Sequence, residues 1–386
     1  MTYDLSEQDQ ACLNHFTERM QERSEHFIGY PSATDIDYSE LYPLLRYRLN
    51  NIGDPMVGST SQINSRKFER EVLSFFAQLF QAPAQNWWGY VTNGGSEGNL
   101  YSLYLSRELY PDGIVYYSEA THYSVQKNIQ LLNLRSIVIR QQENGEIDYD
   151  DLQQMLMQHR DKPAIIIANI GTTMTEAIDD IPHIKGILKQ LAIKSHYIHA
   201  DGALAGIYAA LLNSGKPFDF AAGADSIAIS GHKFLGVPIP CGVVLVKKNY
   251  KERIGKAIPY IGTVDTTITG SRNGHSPIFL WYALRKLGKE GMRQRALASL
   301  DLAAYTLQQL QELGIHAWCN EGAITVVFEA PSEKLRMQWQ LATDGEWSHI
   351  ICMPGVTKAQ IDAFIDDLRN DLQKPGIHTS PLLHVN

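Results

Sequence analysis

The sequence predicts an α/β fold, a mostly parallel sheet followed by a smaller α+β domain, and three observations predict it. Short apolar, β-branched runs alternate with helix-patterned segments through the middle of the chain. Several runs are apolar almost without a break, as strands covered on both faces are. Near residue 285 the texture changes, and long helical stretches surround two isolated strand candidates.

Taken in order, the first 50 residues read as helical and extended segments that wrap onto the large domain, which occupies 51–284. Six strands are expected there: GIVYYS (113–118), RSIVIR (135–140), AIIIAN (164–169), YIHAD (197–201), SIAIS (226–230) and GVVLVK (242–247). Between them YDDLQQMLMQHR and IPHIKGILKQLAI carry helical spacing. In the smaller domain, 285–386, helical RQRALASLDLAAYTLQQLQELG precedes the strands AITVVFEA and HIICMP, and TKAQIDAFIDDLRNDLQ closes the fold as a helix.

Bulk properties exclude several classes. With 34 basic and 42 acidic residues the net charge is −8, which argues against a nucleic-acid footprint. No run approaches the roughly 20 apolar residues of a membrane span. The opening MTYDLSEQDQ is too polar for a secretory signal, so a cytoplasmic protein is expected. Cys12, Cys241, Cys319 and Cys352 are scattered without metal-ligand spacing and read as packing residues in a reducing compartment.

Ligands of open α/β sheets gather at the carboxyl ends of the strands. YIHAD ends in Asp201, SIAIS runs into His232 and Lys233, AIIIAN leads to Thr172 and Thr173, and GIVYYS is followed by Thr121 and His122. A further stretch, YVTNGGSEGN (90–99), places a Gly-Gly-Ser turn at the start of a helical pattern. Such a turn offers a phosphate the backbone N–H groups and positive dipole end of the helix, with Gly94 and Gly95 allowing close approach and Ser96 adding a hydroxyl. Each feature alone has a plain reading: a glycine turn with a serine cap, a loop carboxylate, a core histidine, a surface ammonium. Together, a lysine nucleophile, an acid 32 positions before it, a stackable imidazole and a phosphate turn are the parts that hold pyridoxal 5'-phosphate. A desolvated lysine can form a Schiff base with an aldehyde, and the carboxylate keeps the pyridine nitrogen protonated. Gly202 and Ala203 are small enough to leave the ring's other face open.

The stretches YVTNGGSEGN, THYSVQK, NGEIDYDDL, ANIGTT, HADGALAG, DSIAISGHK with PIPCG, and TITGSRNGH stand in the order found in the pyridoxal-phosphate-dependent amino-acid decarboxylases of fold type I, group II. The chain resembles that family over residues 28–370, and within it the bacterial histidine decarboxylases. The resemblance implies a seven-stranded, mostly parallel sheet in the large domain and a homodimer or higher oligomer with shared active sites. It implies Lys233 as the cofactor-bearing lysine, Asp201 as partner of the pyridine nitrogen and His122 as the stacking ring. Gly95, Ser96, Ser230 and His232 stand where the family binds phosphate, and Thr172 and Ala203 also belong to the implied cofactor set. Ser271 is expected to reach the phosphate of the neighbouring subunit. Tyr260 would be a mobile-loop tyrosine near Cα, and Tyr30 and His122 would meet the substrate. The implied reaction converts L-histidine to histamine and CO₂.

Two departures from the family pattern stand out. Glu176 replaces a usual glycine after the Thr-Thr pair, which puts the local turn in question, and Gly202 replaces a usual alanine. Other decarboxylase substrates, aromatic or acidic, would use the same core residues. A cysteine desulfurase would need a mobile nucleophilic cysteine, which neither Cys319 nor Cys352 resembles. An aminotransferase would need a carboxylate-clamping arginine, for which Arg336 is the sole weak candidate. A catalytically silent cofactor-binding protein would have no need of the full set Lys233, Asp201 and His122.

Overall fold

A computed structural model describes residues 4–58, 60–213, 215–254, 256–258 and 263–373. The amino-terminal part holds α1 (Glu7–Ser24), a 3-10 helix (Ser39–Arg46) and α2 (Arg66–Leu79). There follow β1 (Trp87–Thr92), α3 (Gly95–Leu109), β2 (Ile114–Ser118), α4 (Tyr123–Leu131), β3 (Arg135–Ile139), α5 (Tyr149–Gln158), β4 (Ala164–Asn169) and α6 (Ile181–Gln190). Next come β5 (His196–Asp201), α7 (Gly206–Leu212), β6 (Ser226–Ser230), β7 (Gly242–Lys247), α8 (Lys248–Lys251) and a hairpin of β8 (Lys256–Ile258) and β9 (Thr263–Asp265). The chain then forms α9 (Ser276–Glu312), β10 (Ala317–Trp318), β11 (Thr325–Glu329), α10 (Glu333–Trp339), β12 (Thr343–Asp344), β13 (Trp347–Ile351) and α11 (Lys358–Leu372).

The large sheet has seven strands in the order β1-β7-β6-β5-β4-β2-β3. All run parallel except β7, which is antiparallel to both β1 and β6. Its central strands are buried on both faces, and their side chains alternate between two cores. Ile166 and Ala168 of β4 join a core under α2, α6 and α7, whereas Ile165 and Ile167 pack with Leu103 of α3 and Val125 of α4. Caps mark where the helices begin. The Asp148 carboxylate accepts the N–H groups of Asp150 and Asp151, and that of Asp180 accepts the N–H of His183.

The second sheet, β10-β11-β13-β12, is antiparallel throughout. Val326, Phe328 and Ile350 point into a separate core with Phe364 and Leu368 of α11. The opposite face presents Val327 and His349 to the large sheet's cleft. Gly288, at φ 61°, breaks α9; beyond the break Met292 and Ala296 still pack in the large core, and from Ala303 onward the helix joins the small one.

In the amino-terminal segment, none of the residues of α1 is buried. Its apolar side chains, including Leu13 and Phe16, point to solvent.

One buried ion pair ties the segment before α9 to the sheet. The Arg272 guanidinium pairs with Glu69 of α2 where both side chains are almost wholly enclosed. Glu69 also accepts the N–H of Val91 at 3.0 Å and the Asn51 amide at 2.8 Å, and Arg272 donates to the Gly53 carbonyl at 3.0 Å. Arg272→Ala would leave an unpaired carboxylate in the core, so the expected loss is about 3–5 kcal/mol of unfolding free energy, read from urea denaturation. A loss under about 1 kcal/mol would contradict the pairing.

Candidate active site

A cleft of about 1780 Å³ opens where the parallel strands β1, β2, β4, β5 and β6 end. The folding pattern that makes it is local at each strand end. Strand β1 runs into Gly94, at φ 146°, and α3 begins at Gly95. A Cβ on Gly95 would lie 2.8 Å from Ser230 Oγ and 3.0 Å from Ala203 Cβ, so the glycine keeps a hollow open between three elements. The N–H of Gly95 reaches Ser230 Oγ at 3.3 Å. That hollow, at the N-terminus of a 15-residue helix, is chemically suited to a phosphate.

After β6 the chain turns through Gly231, His232 and Lys233. The Gly231 N–H donates to the Cys241 carbonyl at 2.8 Å, and the Lys233 carbonyl accepts the N–H groups of Ala33 at 3.1 Å and Gly236 at 3.0 Å. This fixes the backbone so that the lysine side chain enters the cleft. Part of its surface remains reachable from the cleft, but protein crowds the amine. Burial lowers the Lys233 pKa, opposed by the nearby Asp201 charge, so the neutral amine is favoured over its exposed counterpart.

Asp201 closes β5 and is buried. Its Oδ2 accepts the Asn99 amide at 2.7 Å, and its Oδ1 accepts the N–H of Ala203 at 3.2 Å. Behind it, Asn99 Oδ1 meets His199 Nε2 at 2.8 Å, and His199 Nδ1 meets Ser226 Oγ at 2.8 Å. Burial pushes the His199 pKa down to about 4, so its ring is neutral at neutral pH. His122 caps α4: its Nδ1 lies 2.8 Å from Ser124 Oγ and 3.3 Å from the Ser124 N–H. Burial, with a smaller contribution from Lys233, lowers the His122 pKa, while Asp201 opposes it. His232 is likewise pushed down, chiefly by burial.

The expected residues therefore meet in one place. Tyr30, Gly95, Ser96, His122, Thr172, Asp201, Ala203, Ser230, His232 and Lys233 all line the cleft. Tyr30 stands half-exposed at the rim, stacked on Phe27 at 5.8 Å. The Thr172 hydroxyl is engaged within its own turn, 2.9 Å from the Ala177 N–H and 2.9 Å from Thr175 Oγ1. Ser271 does not line the cleft; it is exposed and accepts the Asn50 amide at 3.1 Å. Tyr260 lies outside the described residues. Sequence reasoning missed Asn99 and His199 as supports of Asp201, although Asn99 ends the quoted YVTNGGSEGN. Cys319 and Cys352 are pushed up to about 12 by burial, unlike a nucleophilic thiol. Arg336, on α10, does not border the cleft.

These groups fit pyridoxal phosphate on structural grounds: a crowded amine, a carboxylate across from it, an imidazole between the two fields and a glycine hollow at a helix start. Comparison with known proteins agrees. The family model described as "Pyridoxal-dependent decarboxylase conserved domain" matches residues 46–330. A histidine decarboxylase of Mesorhizobium japonicum is 50% identical over 366 residues, 95% of this chain and 99% of that protein. One from Morganella morganii is 46% identical, covering 95% of this chain and 98% of its own. Among solved structures, an L-methionine decarboxylase from Streptomyces sp.590 superposes with a TM-score of 0.86 at 26% identity, over 95% of this chain and 96% of that one. A glutamate decarboxylase of Lactobacillus brevis shares the fold, with a TM-score of 0.81 at 18% identity over 96% and 93% of the two chains. With a cleft built for this cofactor and a match spanning most of its length, the chain belongs to the pyridoxal-dependent decarboxylase family.

Proposed function

We propose that the protein decarboxylates L-histidine to histamine and CO₂ with pyridoxal phosphate as cofactor. The observation that carries the reaction class is the desolvated Lys233 amine facing the Asp201 carboxylate across one cleft. The substrate follows from the similarity to histidine decarboxylases along 95% of the chain.

Lys233 would hold the cofactor covalently through Nζ. Gly95, Ser96, Ser230 and His232 would hold its phosphate, and the His122 ring would lie against its face. When bound, pyridoxal phosphate supplies an electron-accepting ring for the pair left by the departing carboxylate. Asp201 would pair with the cofactor's ring nitrogen and favour its protonated form, backed by the Asn99–His199 network. The Lys233 amine, its pKa lowered by burial, can take up and return a proton at Nζ. On the cleft's far wall Trp318, Val327, Trp347 and Ile351 exclude water, which strengthens the Asp201 field and disfavours a charged carboxylate at the reacting centre. Tyr260 remains our candidate donor of the proton to Cα, and Tyr30 our candidate contact to the substrate.

The same reading makes the working unit a homodimer or higher oligomer, with Ser271 serving the partner's phosphate. Exposed Leu13 and Phe16 on α1, with Tyr42 and Leu45 on the 3-10 helix, are apolar surface of the kind that subunit contacts cover. Residues 1–50, 51–284 and 285–386 are taken as its three parts; the separate core under the small sheet supports the distinction between the last two. A cytoplasmic location is supported by four unpaired cysteines. No described helix is long and apolar enough to cross a membrane.

A panel of amino acids assayed by amine product tests the substrate. Histamine should form from L-histidine roughly 100-fold faster than amines from aromatic or acidic substrates. A yellow protein inert toward histidine, or faster on another amino acid, would overturn the assignment.

A further inference from the structure

The turn after β4 carries an acidic side chain to which the proposed chemistry gives no part. Glu176 holds φ 56°, a left-handed backbone that favours the glycine expected there from the family pattern. The turn itself is intact: the Glu176 N–H donates to the Thr172 carbonyl at 2.9 Å. The departure from glycine therefore puts a carboxyl where a glycine would put nothing, and that carboxyl is buried, with 2% of the residue exposed.

It bridges the two sheets' layers. Oε1 accepts the Tyr208 hydroxyl of α7 and the Ile324 N–H, the latter at 3.0 Å, and Oε2 accepts the Thr325 hydroxyl of β11. Two more bonds join the same turn to the same side of the molecule. His349 Nδ1 of β13 lies 3.0 Å from the Met174 carbonyl, and the Asn320 amide donates to the Thr175 carbonyl at 2.8 Å. Between these anchors the turn presents Thr172, Thr173 and Met174 to the cleft.

Resting on the decarboxylase reading, we propose that Glu176 is a positioning residue: protonated, it locks the substrate-facing turn 171–176 to the small sheet, and ionised, it loosens that seam. The electrostatics of its surroundings set the direction. The titratable groups facing it are Tyr208 on α7, Cys319 after β10 and Cys352 after β13, and burial pushes all three upward, so they are neutral. His349, against the neighbouring carbonyl, is pushed down by burial and adds no charge at neutral pH. Among the described residues no lysine or arginine pairs with Glu176. Burial raises its pKa to about 7, against the opposing pull of its hydrogen-bond donors. A carboxyl raised above its ordinary 4.5 contributes stability that is full below that value and is lost as pH rises towards 7. Protonated, the carboxyl keeps the Ile324 N–H at Oε1 and can turn its own O–H to the Thr325 hydroxyl oxygen, so the seam holds in acid without a buried charge and loosens above neutrality.

Glu176→Gln tests this in the cofactor-loaded protein, because an amide can accept from Ile324 N–H and donate to Thr325 while carrying no charge. Between pH 5.5 and 8 the wild-type KM for L-histidine should rise roughly threefold relative to that of the Gln variant, with kcat and the cofactor absorption band changing alike in both. The Gln variant should also have the higher melting midpoint at pH 8, and the difference should shrink at pH 5.5. Tyr208→Phe removes one donor to the carboxylate and should move the wild-type transition to higher pH. KM profiles for wild type and Glu176→Gln that superimpose would overturn the proposal. Absence of turnover with any amino acid would instead overturn the decarboxylase reading, and the two are told apart because the pH-dependent difference in midpoints would persist.

Discussion

Lys233→Ala should lose turnover by a factor on the order of 10⁴, about 5 kcal/mol of barrier, while keeping its fold. The side chain makes no ion pair within the described residues, and its backbone contacts to Ala33 and Gly236 survive the substitution. Removing a buried amine leaves no unsatisfied partner, so the melting midpoint of the cofactor-free protein should hold or rise. Activity assays and circular dichroism on the same preparation check both halves. A variant that keeps more than about a tenth of the wild-type rate would place the reacting amine elsewhere, since a tenfold loss is worth only about 1.4 kcal/mol.

Asp201→Asn should cost roughly 10³-fold in kcat, about 4 kcal/mol, with a much smaller change in KM. The residue's charge is what matters, because Asn99, His199 and Ser226 behind it form a neutral chain. An asparagine keeps the shape, and with its carbonyl turned to Asn99 Nδ2 it keeps that hydrogen bond. What is lost is the negative charge, together with the acceptor of the Ala203 N–H. The split between kcat and KM distinguishes this from a general loosening of the cleft, which would raise KM as well. Equal effects on the two constants would argue that Asp201 acts as a structural cap of β5.

Much of this site could be read from the chain because its chemistry sits at strand ends. Strands β2, β4, β5 and β6 lie in apolar-rich runs, and their ends marked the segment holding His122, Thr172, Asp201 and Lys233 in turn. Strand β1 escaped as an element because WWGYVT mixes two tryptophans with a glycine and runs directly into the phosphate turn. Strands β10 and β12, of two residues each, are too short for any period to show. The Asn99–His199 support could not be read, since it joins α3 to β5 across 100 positions. Glu176 was visible as a departure from a glycine pattern, but its partners Tyr208 and Thr325, 32 and 149 positions away, meet it only in the folded chain. The exposure of α1 has the same origin: what its apolar Leu13, Phe16 and Met20 meet is not written in the helix's own sequence.

The central claim is that one particular amine carries the cofactor, and borohydride reduction of the loaded protein followed by peptide mass mapping tests it most directly. The peptide containing Ser230 to Phe234 should carry the reduced pyridoxyl phosphate mass, with fragmentation placing it on Lys233. An adduct on any other lysine, or no adduct in a yellow protein, would contradict the account.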